Sequence, residues 1–125
     1  MREQENQILQ EEQPQRAFLV SLDTGEFDAQ ASLEELYELV RSAGAEPVAS
    51  AMQKRPAPDA AYCVGSGLLE EILETCQVQE IDLLVFDREL SPTQIRNIED
   101  KSQLRVVDRT MLILDIFAQR ARSSE

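Results

Sequence analysis

The sequence predicts an α/β domain with an open, mostly parallel sheet of four to five strands and helices on both faces. Short apolar runs alternate along the chain with segments whose apolar residues recur at helical spacing. Residues 81–87 form a nearly continuous apolar run, which is typical of a parallel strand buried on both faces. The length of 125 residues suits a single core. Strands that alternate with helices imply parallel crossovers, and so a sheet covered on both sides.

The folded domain is predicted to begin at residue 16. Residues 1–15 are rich in Glu and Gln and carry few bulky apolar side chains, so they are predicted to form a flexible tail. The apolar run 17–22 ends at a turn-forming Asp-Thr-Gly sequence, which predicts a buried first strand. The domain is therefore expected to comprise residues 16–125.

The first helix and the second strand follow in order. Ser32 and Glu35 form a capping-box pattern that predicts the start of the helix, and Gly44 predicts its end. Residues 46–52 are predicted to form the second strand. The inward stripe of the helix is expected to be Leu33, Leu36, Tyr37, Val40 and Ala43.

The middle of the chain combines a loop, a short strand and a second helix. Pro56 and Pro58 enforce an irregular loop, because proline restricts both its own backbone and that of the preceding residue. Residues 62–64 are predicted to form a brief third strand. A glycine turn at residues 65–67 then leads into the second helix, whose apolar residues recur at helical spacing over residues 68–76.

The last third supplies two strands and two helices. The run 81–87 is predicted to be the central strand, and the third helix is predicted to start after Ser91, which is followed by Pro92 and by Gln94 as capping-box partner. That helix is expected to end near Lys101. A fifth strand at 104–108 and a fourth helix at 110–122 complete the prediction, with four helical residues facing inward: Leu112, Ile113, Ile116 and Phe117.

Composition excludes several classes of function. Histidine is absent, which removes the commonest general base and the commonest metal ligand, so neither catalytic residues nor a metal site are predicted. The formal charge of −12 opposes non-specific adhesion to nucleic acid, so any RNA contact is expected to be local. No apolar run approaches the roughly 20 residues of a membrane span, and no secretory signal is recognisable, so the cytoplasm is the expected location. Cys63 and Cys76 are expected to be buried, reduced thiols.

The glycine turn, Gly65-Ser66-Gly67, is one candidate anion site. Glycines let backbone N–H groups approach an anion, and the start of the following helix favours negative charge. However, the turn lacks the third glycine of a dinucleotide fingerprint and the Gly-Lys-Ser/Thr of a P-loop. Since a tight connection from strand to helix needs glycine in any case, the structural interpretation is favoured and contact with a ligand or partner remains the alternative.

Basic side chains mark the other candidate contacts. The candidate binding residues among them are Lys54 and Arg55 in a proline-bounded loop, Arg109 before the last helix, and Arg120 and Arg122 at its end. Cations at the end of a helix also stabilise the helix dipole. Residues 96–125 carry six basic and five acidic side chains, in contrast to the acidic remainder of the chain. This asymmetry suits a protein that approaches phosphates through its C-terminal third, although helices routinely carry mixed charges for solubility.

Acidic residues at the predicted strand ends allow a further alternative. Asp23 and Asp87 follow strands, where open α/β sheets place their ligands, so a response-regulator receiver with Asp87 as phosphoacceptor is conceivable. A receiver needs an acidic pair after its first strand and a lysine after its last, whereas this chain has Thr24 and Arg109. A capping or pairing role for Asp87, with Arg88 or a loop amide, is therefore favoured. Asp108, which precedes Arg109, is expected to cap the last helix.

Two long segments carry a family resemblance. Residues 86–99 and 107–122 closely resemble the N-terminal domain of HflX-type GTPases, and the likeness extends over residues 16–125. The family's glycine turn is usually Gly-Lys-Gly, so Ser66 departs from that pattern. Shorter matches occur at residues 19–23, 53–55 and 62–67.

The resemblance implies that the intact protein is a cytoplasmic translational GTPase that binds the large ribosomal subunit and helps to rescue or split stalled ribosomes. This domain would then be a positioning module that contacts rRNA and its own GTPase module. The sequence contains no Gly-x-x-x-x-Gly-Lys-Ser/Thr, so no cofactor is expected in this chain, and GTP and Mg²⁺ are expected in a GTPase module following the last helix. The alternatives are a small nucleotide-binding α/β domain and a protein–protein interaction module that pairs through the last helix.

Overall fold

The computed structural model describes residues 13–123, in which four strands alternate with four helices. The predicted α/β class is confirmed. Most of the predicted tail, residues 1–12, lies outside the described residues, so its flexibility stays a prediction. The elements are β1 (Arg16–Asp23), α1 (Ala29–Ser42), β2 (Glu46–Lys54), α2 (Ser66–Val78), β3 (Leu83–Phe86), α3 (Pro92–Ser102), β4 (Arg105–Asp108) and α4 (Arg109–Ser123).

The four strands form one parallel sheet in the order β2-β1-β3-β4. After β2 the chain crosses back past β1 and places β3 on the other side, so the strand order reverses between β1 and β3. All four strands end at the same side of the sheet, which we call the carboxyl edge, and all begin at the amino edge. Open α/β sheets bind their ligands outside the carboxyl edge, near the point where the order reverses.

Side-chain alternation in the strands creates two cores. Phe18 and Val20 face α2 and α3, whereas Ala17 and Leu19 face α1 and α4. The sheet is therefore covered by helices on both faces, as the sequence predicts. We call these two sides of the sheet the α2 face and the α1 face.

The predicted strand at residues 62–64 is wrong, and the sheet has four strands in the described part of the chain. The Asp59 carboxylate accepts hydrogen bonds from the N–H groups of Ala61 and Tyr62 at 2.9 and 2.8 Å, which turns the backbone on itself. Cys63 adopts φ +68° and forms only an isolated antiparallel bridge with Asp59. A left-handed residue interrupts an extended strand, so local turn chemistry overrides the short apolar run.

The first helix begins four residues earlier than the capping box at Ser32 predicts. Asp28 is the N-cap residue, and its Oδ1 accepts a hydrogen bond from the N–H of Ala31 at 3.0 Å. The predicted capping box of the third helix is confirmed, with Ser91 and Gln94 bonded in both directions. Aspartate and serine are both strong N-caps, so sequence spacing alone did not choose between them.

The inward orientation predicted for Phe117 is wrong. Leu112 and Ile116 are buried on α4 and Ile113 is half-buried, but Phe117 is 62% exposed. β4 is the outermost strand on this side of the sheet, so α4 packs with only a narrow stripe against the α1 face. Three large apolar side chains consequently remain exposed on α4, namely Met111, Leu114 and Phe117.

Candidate binding site at the carboxyl edge of the sheet

A cleft of about 390 Å³ opens at the carboxyl edge where β1 and β2 end. It is formed because the two parallel strands stop side by side, with Asp23 opposite Lys54. The lining therefore combines the turn after β1 with the proline-bounded loop after β2. The residues that line it are Asp23, Thr24, Gly25, Lys54, Arg55 and Pro56.

The glycine turn at the start of α2 lies against the end of β2. Gly65 is the N-cap of α2, and its N–H donates to Oε1 of Gln53 at 2.9 Å. A Cβ placed on Gly65 would be only 3.3 Å from Nη1 of Arg55 and 3.3 Å from Nε2 of Gln53. A side chain at this position would require the ends of the Gln53 and Arg55 side chains to move. The structure thus brings Lys54 and Arg55 together with the predicted glycine turn.

The start of α2 leaves several donors available. No side chain caps this helix, and the first hydrogen bond into it is from the N–H of Leu69 to the carbonyl of Gly65 at 3.0 Å. Helices leave their first N–H groups without an intrahelical partner, and the helix dipole makes that end electropositive. Ser66 and Gly67 therefore present N–H groups next to the Arg55 guanidinium.

Two side chains at the carboxyl edge have buried donor atoms without a hydrogen-bond partner in the described part of the chain. They are Oγ1 of Thr24, which follows β1, and Nη1 of Arg88, which follows β3. Arg55 and Thr24 line the same cleft. Neither Thr24 nor Arg88 was predicted from the sequence to be a binding residue. Their position directly after predicted strands is visible in the sequence. It indicates a shared site only once β1 and β3 are known to be neighbours in the sheet.

The loop of residues 59–65 crosses this group of side chains. Burial raises the pKa of the Cys63 thiol to about 11, and the positive charges of Arg88 and Arg55 oppose that rise. Both guanidinium groups therefore act electrostatically on Cys63 in this loop. Hydrogen bonds from the N–H groups of Tyr62 and Ala61 hold the pKa of the Asp59 carboxyl below its ordinary value. Asp59 is the acidic neighbour of Arg55 on this loop, although its carboxylate is already engaged by the backbone.

Arg109 serves a different structure on the α1 face. Its Nη1 lies 2.6 Å from Oδ1 of Asp87, and its Nη2 lies 2.5 Å from Oε1 of Glu35. The same Nη1 also contacts Oγ of Ser32 at 3.3 Å. The Asp87 side chain is fully buried, with 0% of it exposed. The predicted partner Arg88 is therefore replaced by Arg109, because β4 is the neighbour of β3 and the strand pleat turns Asp87 towards the α1 face.

This geometry also bears on the receiver alternative. A phosphoacceptor carboxylate must be reachable by a phosphodonor, whereas the carboxylate of Asp87 is enclosed and paired with a guanidinium. The neighbouring Asp108 caps α4, since its Oδ1 accepts from the N–H of Met111 at 3.0 Å. Its Oδ2 also accepts from the N–H of Leu90 at 2.9 Å, which fixes the segment that leads into α3.

The two remaining predicted binding residues, Arg120 and Arg122, lie far from this cleft. α4 starts at the carboxyl edge and runs back towards the amino edge, where Nε2 of Gln119 donates to the carbonyl of Ala43 at 3.1 Å. Eleven residues of helix separate Arg109 from Arg120, which corresponds to about 16 Å. The predicted binding residues therefore divide into a group at the carboxyl edge and a pair at the other end of α4.

Two further properties concern residues 13–123 as a whole. No helix in this range is long and apolar enough to cross a membrane. Within the same range, no three acidic or cysteine side chains come together in a way that could hold a metal ion.

Comparison with known proteins identifies the family. The family described as "GTP-binding GTPase N-terminal" matches residues 30–118, which is most of the domain. The chain belongs to the N-terminal domain family of HflX-type GTPases. A GTPase HflX of Caldanaerobacter subterraneus subsp. tengcongensis is 44% identical over 111 residues, and that of Escherichia coli (strain K12) is 47% identical over 93 residues.

This HflX-type domain matches only a part of each relative. The alignments cover 89% and 74% of the chain but 26% and 22% of these two proteins, so the chain spans about a quarter of their length. A solved structure of a GTP-binding protein from Sulfolobus solfataricus in complex with GDP matches with TM-score 0.60 and 24% identity, over 83% of this chain and 30% of that one. A structure of an SsGBP and GDP complex gives TM-score 0.65 at the same identity, over 84% and 29%. These two likenesses concern the fold alone.

Proposed function

We propose that this domain is the ribosome-binding and positioning domain of an HflX-type GTP-binding protein involved in rescue or splitting of stalled ribosomes. In this proposal it binds the large ribosomal subunit through rRNA phosphates and does not itself hydrolyse GTP. The observation that carries the proposal is the cluster of cationic and N–H donor groups at the carboxyl edge of a domain whose family is HflX-type.

The charges of the carboxyl edge support contact with phosphate. The chain has a formal charge of −12, so most of its surface repels RNA. In the described part of the chain, neither Lys54 nor Arg55 forms an ion pair with a carboxylate, whereas Arg109 is engaged by two. A cation without an ion pair in its own protein is available to pair with the phosphates of a partner, and it therefore contributes more to the binding free energy.

The catalytic part of the proposal assigns hydrolysis to other polypeptide. The sequence has neither histidine nor a P-loop motif, and the relatives named as GTPases are about four times as long as the matched region. GTP and Mg²⁺ would be held by the GTPase module of the intact protein. The domain would act by contact, in the cytoplasm, and would couple ribosome engagement to the state of that module.

A protein–protein role for α4 is a second candidate. Leu114 and Phe117 are 63% and 62% exposed on one helix, which is unusual for a helix that has only solvent beside it. We propose the protein's own GTPase module as the partner of this surface. The small nucleotide-binding domain remains an alternative for the carboxyl edge, because a free nucleotide presents the same phosphate chemistry as RNA.

Co-sedimentation with purified 50S subunits at low and moderate salt tests the proposal. Lys54→Glu should reduce binding, because it places a negative charge at the cleft, and the reduction should be larger at low salt. Arg105→Glu is the matched control, since Arg105 is exposed at the amino edge and has no ion pair among the described residues. No association of the wild-type chain or of the intact protein at either salt would refute the proposal.

A paired variant assigns the contact to one end of the molecule. Arg120→Glu with Arg122→Glu should reduce binding if the far end of α4 also approaches phosphate. If this pair abolishes binding while Lys54→Glu has no effect, the carboxyl edge is not the contact and that part of the proposal is wrong.

A further inference from the structure

Two buried donor atoms at the carboxyl edge have no acceptor among the described residues. Nη1 of Arg88 and Oγ1 of Thr24 are both shut off from solvent and have no hydrogen-bond partner among the described residues. Leaving a buried charged donor unpaired costs a protein stability, so most such groups in folded proteins are paired with protein atoms, ordered water or a bound ligand. The unpaired nitrogen of Arg88 is stronger evidence for a missing acceptor than the Thr24 hydroxyl, because a guanidinium cannot lose its proton and so stays a charged donor.

The residues that carry these atoms, together with Arg55, follow three neighbouring strands at the carboxyl edge of the sheet. Thr24, Arg55 and Arg88 follow β1, β2 and β3, which lie side by side in the sheet. Arg55 and Thr24 line one cleft, and the Arg55 guanidinium packs against Gly65. The loop of residues 59–65 brings the start of α2 over them.

The groups at this place are mainly hydrogen-bond donors. The guanidinium groups and the free N–H groups of the helix start can only donate hydrogen bonds, and the Thr24 hydroxyl can also donate. Two acidic side chains lie nearby. Asp23 accepts from the N–H of Gly25 at 2.9 Å, and Asp59 accepts from two N–H groups of its own loop. Neither forms an ion pair with Arg55 or Arg88.

We propose that Arg55, Arg88, Thr24 and the N–H groups of Ser66 and Gly67 form a binding site for one phosphate group. Guanidinium groups match the geometry of phosphate oxygens, and a helix start adds N–H donors and a favourable dipole. The site gives the buried Arg88 nitrogen the acceptor that the described chain does not supply. The assignment goes beyond the proposed function by naming a pocket that includes Arg88 and Thr24, and it rests on that function only for the origin of the phosphate.

Titration of the 125-residue chain with inorganic phosphate tests the site directly. Amide chemical shifts are followed at constant ionic strength, with sodium chloride as the reference salt. Saturable shifts should appear at Gly65, Ser66 and Gly67 and should be absent in the chloride titration. Arg88→Gln and Arg55→Gln should each weaken phosphate binding about tenfold, because each removes charge-assisted hydrogen bonds. The matched control Arg105→Gln should bind phosphate as the wild type does.

Two outcomes would overturn the site: shifts that do not saturate in the wild type, or equal affinities in wild type and both pocket variants. The thermal midpoint gives a second readout, since a ligand that binds only the folded state raises it. If Arg88→Gln does not fold, Arg55→Gln decides the question, because the Arg55 side chain is partly exposed.

A competition experiment identifies the molecule that carries the phosphate. ATP and GTP should displace inorganic phosphate with affinities well above its own if a free nucleotide is the ligand, whereas a single-stranded RNA oligonucleotide should do so if an RNA backbone is. Saturable phosphate binding without any 50S association would leave the site standing and refute the proposed function. Ribosome binding that depends on Lys54, without a phosphate titration, would do the reverse.

Discussion

Replacing Arg109 by alanine should destabilise the domain more than loss of any other ion pair in the described chain. The Asp87 side chain is fully buried, and its Oδ1 lies 2.6 Å from Nη1 of Arg109. Its Oδ2 has no hydrogen-bond partner, so Arg109 is the group that compensates the buried charge. Breaking a buried pair from one side costs about 3–5 kcal/mol, which is a large part of the roughly 5–15 kcal/mol that stabilises a typical domain.

The Arg41–Glu38 ion pair is the matched control, because its N–O distance is similarly short but both side chains are exposed. Arg41 lies 2.5 Å from Glu38, but these side chains are 54% and 74% exposed. Solvent screens such a pair, so Arg41→Ala should cost less than about 1 kcal/mol. Urea unfolding measures both variants, and with a slope of about 2 kcal/mol per molar the midpoint of Arg109→Ala should fall by about 2 M. Equal midpoints for the two variants would refute the claim that burial makes the Asp87 pair important.

A double variant tests the cause. Asp87→Leu combined with Arg109→Met removes both charges and fills the space with apolar atoms, so it should recover most of the stability that Arg109→Ala loses. If the double variant is as unstable as the single one, packing around Arg109 is responsible and the buried charge is not.

The two thiols, the loop of residues 59–65 and the capping box of α3 can each be probed in solution. Burial raises the pKa values of the Cys63 and Cys76 thiols to about 11, so only about a thousandth of each thiol is ionised at pH 8. A thiol reagent should therefore label both cysteines slowly in the native chain and rapidly in denaturant. Equal labelling rates in the two states would contradict the burial of these thiols. Folding lowers the pKa of the Asp59 carboxyl from 3.8, so the ionised carboxylate stabilises the 59–65 loop above pH 3.8, and this stabilisation is lost as the pH falls through the lower pKa of the folded state. The amide shifts of Ala61 and Tyr62 should therefore titrate with a midpoint below 3.8. A midpoint at or above 3.8 would be inconsistent with the two hydrogen bonds. Ser91→Ala should cost about 1 kcal/mol in urea unfolding, because it removes the capping box of α3, whereas Ser102→Ala near the other end of the helix should cost less.

Local patterns in the sequence were sufficient for most of the architecture. Alternation of apolar runs with helical stripes gave the element order, and the Ser91 capping box marked the start of α3 correctly. The false strand at residues 62–64 shows the limit of such patterns. Three apolar residues are compatible with a strand or a turn, and the deciding contact is the Asp59 carboxylate on two nearby N–H groups.

The candidate site was predictable only in part, because it depends on which strands are neighbours. Lys54, Arg55 and the glycine turn could be found from residue type and position. The partner of Asp87 could not, since Arg109 is 22 residues away in sequence and reaches it only because β3 pairs with β4. Thr24 and Arg88 require the same kind of knowledge, because strand order is a property of the whole fold.

The position of β1 in the sheet has a consequence for synthesis. This first strand pairs with β2 on one side and with β3 on the other, and its register with β3 joins Ala17 to Leu83 and Val20 to Phe86. A nascent chain that has reached β2 therefore still carries a hydrophobic strand with one unpaired side. At about 5–20 residues per second, the residues up to Phe86 take several more seconds to emerge, and during that interval the free side of β1 is exposed to misassembly.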